Sequence, residues 1–453
     1  MYLRILALLL GVALLRFLIS RFRPSLYGLT FGLFFLYLPL MGRIPLNLAP
    51  GVNLVTLFLV ALLCLSFRAD DSAPKSPSNA FRNLIFAWMA VGVFGFCIGL
   101  AGVVPATDLF VLFKRWLDPL LFSLLALRLT RREDQRFLLA CILVGYALVS
   151  LQGVREGLDI GHKQRIEGLM GQANELGAFL TIYALAVLVA ALFLSKGLIR
   201  LTLLGALVLG VTALVYTESR ACLLALPVGL CVMLWTSGRN AYGWVGLLLV
   251  TVMVAFPSLL PEKATERFEK TYKEDSFGSE QLEESAASRL ELWQGSLQLV
   301  SEYPLGIGFA QFPYEIRNYA HTNKKYASDA HNYYLLTWVE FGLAGLVVLL
   351  CLLFRMLGDA WALARHGPDH FMRSLGLGLW AGLVAALVVN FFGTRLMDIQ
   401  VSTYLWVLSA VAAAARDAVS EEDAETPGEA EPARENLWGL QSYSQRAVTK
   451  YQS

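Results

Sequence analysis

The chain has 453 residues, of which 57% are hydrophobic and 16% are charged, and its formal net charge is +2. A soluble globular protein averages roughly 45–50% apolar and about 25% charged residues, so a soluble multidomain enzyme is excluded. The abundance of bulky apolar residues also excludes a disordered chain. The small net charge gives no indication of a nucleic-acid partner.

The apolar residues form continuous runs, which predict transmembrane helices and not the alternating strands of a membrane β-barrel. We therefore expect an all-α, polytopic transmembrane helical bundle of about 12–13 spans. A cleaved signal peptide is the alternative for the first run, although no small-residue cleavage site follows it. The predicted spans cover 4–19, 25–41, 50–66, 83–103, 110–127, 137–153, 174–195, 199–216, 221–236, 241–260, 333–354, 374–392 and 400–415.

This pattern divides the chain into four regions. They are N-terminal transmembrane helices over 1–260, a long external loop containing helices over 261–332, C-terminal transmembrane helices over 333–416, and a tail over 417–453. The tail is rich in Glu, Pro and Ala and lacks bulky apolar residues, so we expect it to be disordered. All six cysteines lie in apolar runs and form no CxxC pair, so neither a disulfide framework nor a metal site is predicted.

Lysine and arginine in the short loops predict the orientation in the membrane. One set of alternate loops carries 16 of these residues and the opposite set carries 7. Because the richer side faces the cytoplasm, the loop 261–332 is expected outside and the tail inside. If the first span does not insert, only the N-terminus changes side.

The long loop contains two elements predicted from local sequence. The charged stretch from Pro261 to Glu284 is expected to be helical. Ser288 then opens a capping-box pattern, S-x-x-E, which places Arg289 in the first turn of a second helix. A start at Ser279 is the alternative and would place Arg289 in mid-helix. The apolar stripe of the second helix would consist of Leu290, Trp293, Leu297 and Val300.

His331 is the candidate general base of the loop. Ser328 or Asp329 could cap the span at 333–354, which would place His331 in its first turn. The positive end of the helix dipole would keep the imidazole neutral and able to accept a proton. The alternative is a histidine that only caps or hydrogen-bonds. His321 is a rival, and Glu340 falls on the opposite helix face and is not expected to pair with His331.

Several basic residues are predicted at the same external face. Arg220 lies in a short hairpin between two spans, where snorkelling or pairing with Glu218 is the alternative reading. Lys114 and Arg115 lie one turn inside another span, and pairing with Asp118 is an adequate explanation for two cations at that depth. Arg165 and Asn174 flank the start of the span at 174–195.

Four segments together resemble the O-antigen ligase and O-antigen polymerase superfamily of bacterial envelope glycosyltransferases. They occur in this order, with the long loop between the second and the fourth. They are Arg165-Ile-Glu-Gly168 through Asn174; Thr217-Glu-Ser219-Arg220; Ser288-Arg289 with Trp293, Pro304-Leu-Gly306-Ile-Gly308 and Phe312; and His331-Asn332-Tyr-Tyr-Leu335 with Glu340-Phe-Gly342-Leu-Ala-Gly345.

The resemblance implies transfer of a glycan from undecaprenyl diphosphate to an acceptor hydroxyl, without a metal or other cofactor. It implies that His331 is the general base and that Arg220 and Arg289 bind the diphosphate. The other candidate substrate contacts are Arg165, Asn174, Lys114, Arg115 and Asn332.

The implied location is the bacterial inner membrane, with the active site at the periplasmic face. The implied partners are the lipid-linked glycan, a glycan or lipid acceptor, membrane lipids and other polysaccharide assembly proteins, but no nucleic acid. The residues do not separate a polymerase of O-antigen or exopolysaccharide, which is slightly favoured, from a ligase acting on lipid A core or a protein oligosaccharyltransferase. A transporter, flippase or scaffold is the alternative class, although no repeated halves are evident.

Overall fold

The computed structural model describes residues 2–42, 47–49, 52–67, 79–160, 164–236, 272–274, 280–282, 284–320 and 329–425. Fourteen helices and two short strand pairs make up these residues, so the predicted all-α polytopic fold is confirmed. The predicted span at 241–260, His321, Ser328 and the tail from 426 onward lie outside the described residues.

Within the described residues up to 236, the first part of the chain contributes nine helices. They are α1 (Tyr2–Phe22), α2 (Leu26–Tyr37, continued by a 3-10 turn over Leu38–Leu40), α3 (Leu54–Ser66), α4 (Asn79–Gly99), α5 (Ala106–Ala126), α6 (Arg132–Ile160), α7 (Ala173–Val189, continued by a π-helical turn over Ala190–Leu194), α8 (Gly197–Thr217) and α9 (Arg220–Thr236). A short antiparallel pair, β1 (Asn47–Ala49) and β2 (Val52–Asn53), precedes α3.

The second part contributes β3 (Tyr272–Glu274), β4 (Glu280–Leu282) and five helices. These are α10 (Glu284–Glu302), α11 (Phe312–Glu315, followed by a 3-10 turn over Ile316–Asn318), α12 (Tyr333–His366), α13 (His370–Phe391, followed by a 3-10 turn over Arg395–Met397) and α14 (Ile399–Glu425).

Twelve of the predicted spans correspond to helices. Among the described residues, six helices are long and apolar enough to cross a membrane, whereas α2, α3 and α9 are apolar but shorter. A helix such as α3, with 13 residues, is about 20 Å long at 1.5 Å per residue, which is less than the roughly 30 Å hydrocarbon layer. The bundle therefore combines full-length spans with shorter apolar helices.

The centre of the bundle is formed by α7, α13 and α14. The apolar window of α7 is 78% buried, whereas that of α8 is 22% buried. Two tyrosine hydroxyls bond across helices: Tyr183 donates to the carbonyl of Val401 at 2.5 Å and Tyr404 donates to that of Phe35 at 2.8 Å. Such bonds hold helices together where water is absent.

The expected helix from Pro261 to Glu284 is wrong where the structure describes it. Residues 272–274 and 280–282 pair as an antiparallel hairpin with Lys273 opposite Gln281. The intervening sequence contains Ser276, Gly278 and Ser279, residue types that favour turns over helix. Neither predicted start of the next helix is correct, because α10 begins at Glu284.

The predicted apolar stripe of α10 is correct only in part: Val300 packs against a small buried core and Trp293 donates to the Ala330 carbonyl at 3.0 Å, but the two predicted leucines are not buried. Leu290 and Leu297 are about half exposed, whereas Leu292 and Leu299 are fully buried. They pack with Phe312, Ile316 and Val339 in a small second core. The buried face is thus rotated relative to the predicted one, because α10 packs against both the loop that returns beneath it and the start of α12.

The expected disorder of the tail must be corrected at its start, because α14 continues to Glu425. The Ala-rich sequence before residue 417 and the Glu and Ala residues after it are strong helix formers. Arg355 of α12 also pairs with Asp359 at 2.7 Å and with Asp417 at 3.3 Å, which stabilises this end of α14.

The loop between α10 and α11 docks backbone against backbone. Gly342 interrupts α12 with a φ of 68°, and the loop amides of Ile307 and Gly308 donate to the carbonyls of Val339 and Glu340 at 2.9 and 3.1 Å. A Cβ at Gly308 would lie 2.5 Å from the Gly99 nitrogen of α4. The glycines of the predicted turn are therefore required by close packing, not by a nucleotide.

Candidate functional site

The candidate residues gather at one end of the bundle. They lie where α8 ends, where α7, α9, α12 and α14 begin, and where α13 ends. The loops at this end belong to the set with fewer lysines and arginines. Polar side chains are concentrated here because neighbouring antiparallel helices all expose their terminal loops at the same level.

His331 lies immediately before α12 and not in its first turn. Asn332 is the N-cap, and its side chain accepts from the Leu335 amide at 3.0 Å. Asp329 therefore does not cap this helix. His331 has a φ of 50°, and its amide donates to the Asp329 carboxylate at 3.1 Å. This left-handed conformation, held by Asp329, determines where the imidazole points.

The environment of His331 favours a neutral imidazole. Burial lowers its pKa below the usual value, the nearby Asp329 carboxylate opposes this shift, and Arg289 and Arg395 lower the pKa further. Its Nδ1 lies 3.7 Å from the Asp329 carboxylate. The lowered pKa agrees with the neutral imidazole expected from the sequence. Its causes, however, are burial and the nearby arginines and not the predicted position in the first turn of the helix.

An arginine pocket adjoins His331. Its lining includes Asn174, Glu218 and Ser219 as well as four arginines, Arg165, Arg220, Arg289 and Arg395. Arg220 is the first residue of α9, whereas Arg289 is the sixth residue of α10 and not, as expected, in its first turn. Arg165 donates to the Thr217 carbonyl at 2.7 Å and to Asn174 at 2.6 Å. The fold thus brings five residues that the sequence singled out to the lining of one pocket: Arg165, Asn174, Arg220, Arg289 and His331.

Three predicted contacts are separated from that pocket. Lys114 pairs with Asp118 at 2.7 Å, as the spacing indicated. Arg115 lines a different, larger cavity. Asn332 acts in the described structure as a helix cap. These residues are therefore placed around the site and not beside His331.

Arg395 is a central residue that sequence reasoning counted only as a loop charge. Its guanidinium donates to Gln172 at 2.6 Å and to Asp398 at 3.0 Å. It also lies 3.8 Å from Glu175 and 3.7 Å from Asp329. The spacing of Arg395 and Asp398 at i, i+3 was a signal for a pair, but nothing in the sequence indicated that Glu175 and Asp329 meet there.

These acidic residues surround a guanidinium. Burial raises the pKa of Asp398 to about 6, although Arg395 opposes the shift. Thr394 donates to the second oxygen of Asp329 at 2.6 Å. Across the part of the chain that the structure describes, no group of three His, Cys, Asp or Glu residues has the arrangement of a metal site. The cluster instead holds Asp329, and through it His331, in one orientation.

A cavity of about 1200 Å³ opens on the other side of Asp329 and Arg395. Both residues line it, and Arg395 also lines the arginine pocket. The larger cavity combines aromatic, amide and charged side chains, among them Tyr37, Asp108, Arg115, Trp116, Gln172, Glu175, Tyr314, Arg317, Asp398 and Gln400. The two spaces therefore meet at one guanidinium.

Comparison with known families supports the resemblance seen in the sequence. Residues 205–350, about a third of the chain, match the family model described as O-antigen ligase, in agreement with the resemblance to the O-antigen ligase and polymerase superfamily. The matched region runs from α8 into α12 and includes Arg220, Arg289 and His331. A search of curated proteins found no match. The family match and the long apolar helices together support a multi-pass membrane protein that is similar to O-antigen ligases over this region.

Proposed function

We propose that the protein is an inner-membrane glycosyltransferase that moves a glycan from undecaprenyl diphosphate to an acceptor hydroxyl at the periplasmic face. The observation that carries this proposal is that Arg220, Arg289 and His331, which are far apart in sequence, line one pocket. A cluster of guanidinium groups beside a mostly buried, neutral imidazole suits a reaction with an anionic leaving group and a hydroxyl nucleophile.

The arginines neutralise the leaving group in this mechanism. As the bond between the anomeric carbon and the diphosphate oxygen breaks, negative charge develops on the diphosphate. Guanidinium groups donate two parallel hydrogen bonds to phosphate oxygens, so Arg220 and Arg289 can stabilise that charge without a general acid. The space between the side chains is about 60 Å³, so the arginines must move apart when the diphosphate enters.

His331 accepts the proton of the acceptor. The Asp329 carboxylate near Nδ1 favours a proton on that nitrogen, which leaves the Nε2 lone pair for the acceptor hydroxyl. The acceptor oxygen forms a bond to the anomeric carbon, its proton passes to Nε2, and undecaprenyl diphosphate leaves with the bonding electrons. The residues described here supply each of these proton and charge transfers.

We favour a polymerase that joins repeat units of O-antigen or exopolysaccharide. The description of the matched family favours the second candidate, a ligase that attaches glycan to lipid A core. Deletion of the gene distinguishes them. Accumulation of single repeat units on the carrier lipid supports a polymerase, whereas accumulation of full-length polymer on that lipid supports a ligase. Normal lipid-linked glycans and normal surface polysaccharide would contradict both functions.

The proposed sidedness is tested by labelling single cysteines with a membrane-impermeant reagent after the native thiols are removed. Gln298→Cys on α10, an exposed position, should react in intact spheroplasts. Ser453→Cys in the tail should react only after lysis. The reverse pattern would place the site in the cytoplasm and overturn the proposed location.

A further inference from the structure

Helix α10, in the long loop beside the arginine pocket, carries an edge of exposed leucines. Leu290 is 47% exposed and Leu297 is 54% exposed. The two residues are two turns apart, so they lie on the same side of the helix. We call this pair the leucine edge. Aligned exposed apolar side chains commonly mark a surface that contacts a membrane or another protein.

The other residues of α10 divide the helix into distinct faces. Leu292 and Leu299 are fully buried in the small second core. Gln294 and Gln298 are exposed on one flank of the leucine edge, and the half-buried Trp293 lies on the other flank. These positions follow from a rotation of about 100° per residue. A polar side next to an apolar edge is typical of a helix that lies in a membrane surface.

The leucine edge adjoins apolar side chains that are exposed on the spans. Trp293 packs edge-to-face on Phe391 with the ring centroids 5.7 Å apart, and Phe391 is 46% exposed at the end of α13. Leu305, just after α10, is 69% exposed, and a Cβ on Gly342 of α12 would lie 2.7 Å from its carbonyl carbon. The next residue, Leu343, is 56% exposed. The apolar surface of the spans thus continues onto α10 and the residues after it.

The chemistry of the exposed residues favours acyl chains as the partner. Attraction to anionic headgroups needs lysine or arginine, but the exposed positions described in α10 are alanine, leucine, glutamine, serine and glutamate. A stable protein interface buries about 800 Å² on each partner, which is far more than two leucine side chains supply. The boundary between headgroups and acyl chains needs only a narrow apolar edge.

We propose that α10 lies in the surface of the membrane leaflet at this end of the bundle, with Leu290 and Leu297 in the boundary between headgroups and acyl chains. Arg289 directly precedes Leu290 and lines the arginine pocket. The leucine edge thereby holds the Arg289 guanidinium at the depth of lipid phosphates, where the diphosphate of a lipid-linked donor also lies. This positioning of Arg289 rests on the proposed function, whereas the location of α10 does not.

Fluorescence quenching tests the location of α10 in the full-length protein. Leu297→Cys and the neighbouring Gln298→Cys are made after the native thiols are removed, labelled with a fluorophore and placed in phosphatidylcholine nanodiscs. We expect lipids with a nitroxide on the acyl chain to quench position 297 about threefold more than position 298, because an interfacial helix buries its apolar side by about 5–10 Å. Aqueous iodide should show the reverse preference.

Val347→Cys on α12, a 50% exposed position of a span, is the positive control for lipid contact. Equal quenching of positions 297 and 298 would overturn the proposal, because the leucine edge would then face water. A label at position 297 that neither quencher reaches would also overturn it, because protein would then cover the edge.

The double variant Leu290→Gln, Leu297→Gln tests the positioning of Arg289. Both side chains are exposed, so folding should be little affected. A loosened helix holds Arg289 at the required depth for a smaller fraction of the time, so we expect the KM for lipid-linked donor to rise about 3–10-fold at unchanged kcat. The double substitution to Met keeps the edge apolar and should behave like wild type, as should Gln298→Ala on the polar side.

An unchanged donor KM in the Gln variant, or an equal rise in the Met variant, would overturn the positioning of Arg289. If transfer is normal and the quenching difference is absent, the interfacial location of α10 fails and the proposed function stands. If the quenching difference is found but the wild-type protein transfers no glycan, α10 is an interfacial helix and the proposed enzyme function fails.

Discussion

Arginines cluster at both ends of the bundle, but with different partners. At the end opposite the site, Arg355 and Arg416 pair with Asp359, and Arg355 also pairs with Asp417, so two cations meet two anions. At the site end, four arginines and one glutamate line the pocket beside His331. This balanced cluster, which consists of Arg355, Asp359, Arg416 and Asp417, joins α12 to α14. Arg395 is already paired with three carboxylates, so the other three arginines of the pocket are those to which an anionic ligand would be attracted.

The largest expected effect is at His331. Loss of a general base typically lowers a rate by about 10²–10⁴-fold. We therefore expect His331→Ala to nearly abolish glycan transfer by purified enzyme, with expression and donor levels unchanged and no metal added.

Two other histidines serve as controls for His331. His370→Ala removes an imidazole at the opposite end of the bundle, where it contacts the Phe193 carbonyl at 3.0 Å, and should retain most activity. His321→Ala should also cost far less than His331→Ala. If His331→Ala keeps more than about a tenth of the wild-type rate, the loss is below the range for a base and the assigned role is wrong. If His321→Ala is the inactive variant, the base is His321.

The next largest effect is expected at the diphosphate arginines. Arg220→Lys or Arg289→Lys keeps the charge but removes the two-pronged donor. We expect each to reduce transfer about tenfold or more without loss of membrane expression, because removal of one stabilising donor costs about 10²–10³-fold. Arg155→Lys, in a 74% exposed pair with Asp159, is the control. Full activity in both site variants would show that these arginines have only a structural role.

A substitution in the balanced cluster should lower the stability of the protein and leave the rate of transfer unchanged. Asp359→Ala leaves Arg355 and Arg416 without their shared carboxylate, and removal of one partner from a buried ion pair costs about 3–5 kcal/mol. We expect a lower Tm of the detergent-solubilised protein, with the rate per folded molecule and the acceptor KM unchanged. A selective loss of kcat at an unchanged Tm would show that this end takes part in the reaction.

The smallest expected effect is a shift of the pH profile. Because His331 must be neutral to act, the acid limb of kcat/KM follows its pKa. Asp329 raises that pKa and Arg289 lowers it. Asp329→Asn should therefore move the limb to lower pH, and Arg289→Gln should move it to higher pH, whatever the fall in rate. Parallel shifts in both variants, or none, would indicate that another group limits the rate at low pH.

The sequence was sufficient to predict the apolar helices and to single out Arg220, Arg289 and His331, which the fold brings to one pocket. Continuous apolar runs determine helices in a membrane, and the three residues stand in short polar motifs that are conspicuous between those runs. The sequence was not sufficient to predict that Arg395 pairs with Glu175 and Asp329, because these contacts depend on how α7, α12 and α14 are arranged. Local signals in the long loop also failed: Ser288 fits a capping pattern but lies inside α10, because tertiary packing overrides a local cap.

The break at Gly342 separates part of α12 from its own hydrogen-bond ladder, and the carbonyls of Val339 and Glu340 bond instead to amides of a loop about thirty residues earlier. A carbonyl released from such a bond away from water costs several kcal/mol. The loop and the helix must therefore form together and stay together during turnover. The loop and this end of α12 should therefore behave as one rigid unit, and larger displacements are expected only in segments that do not share such bonds.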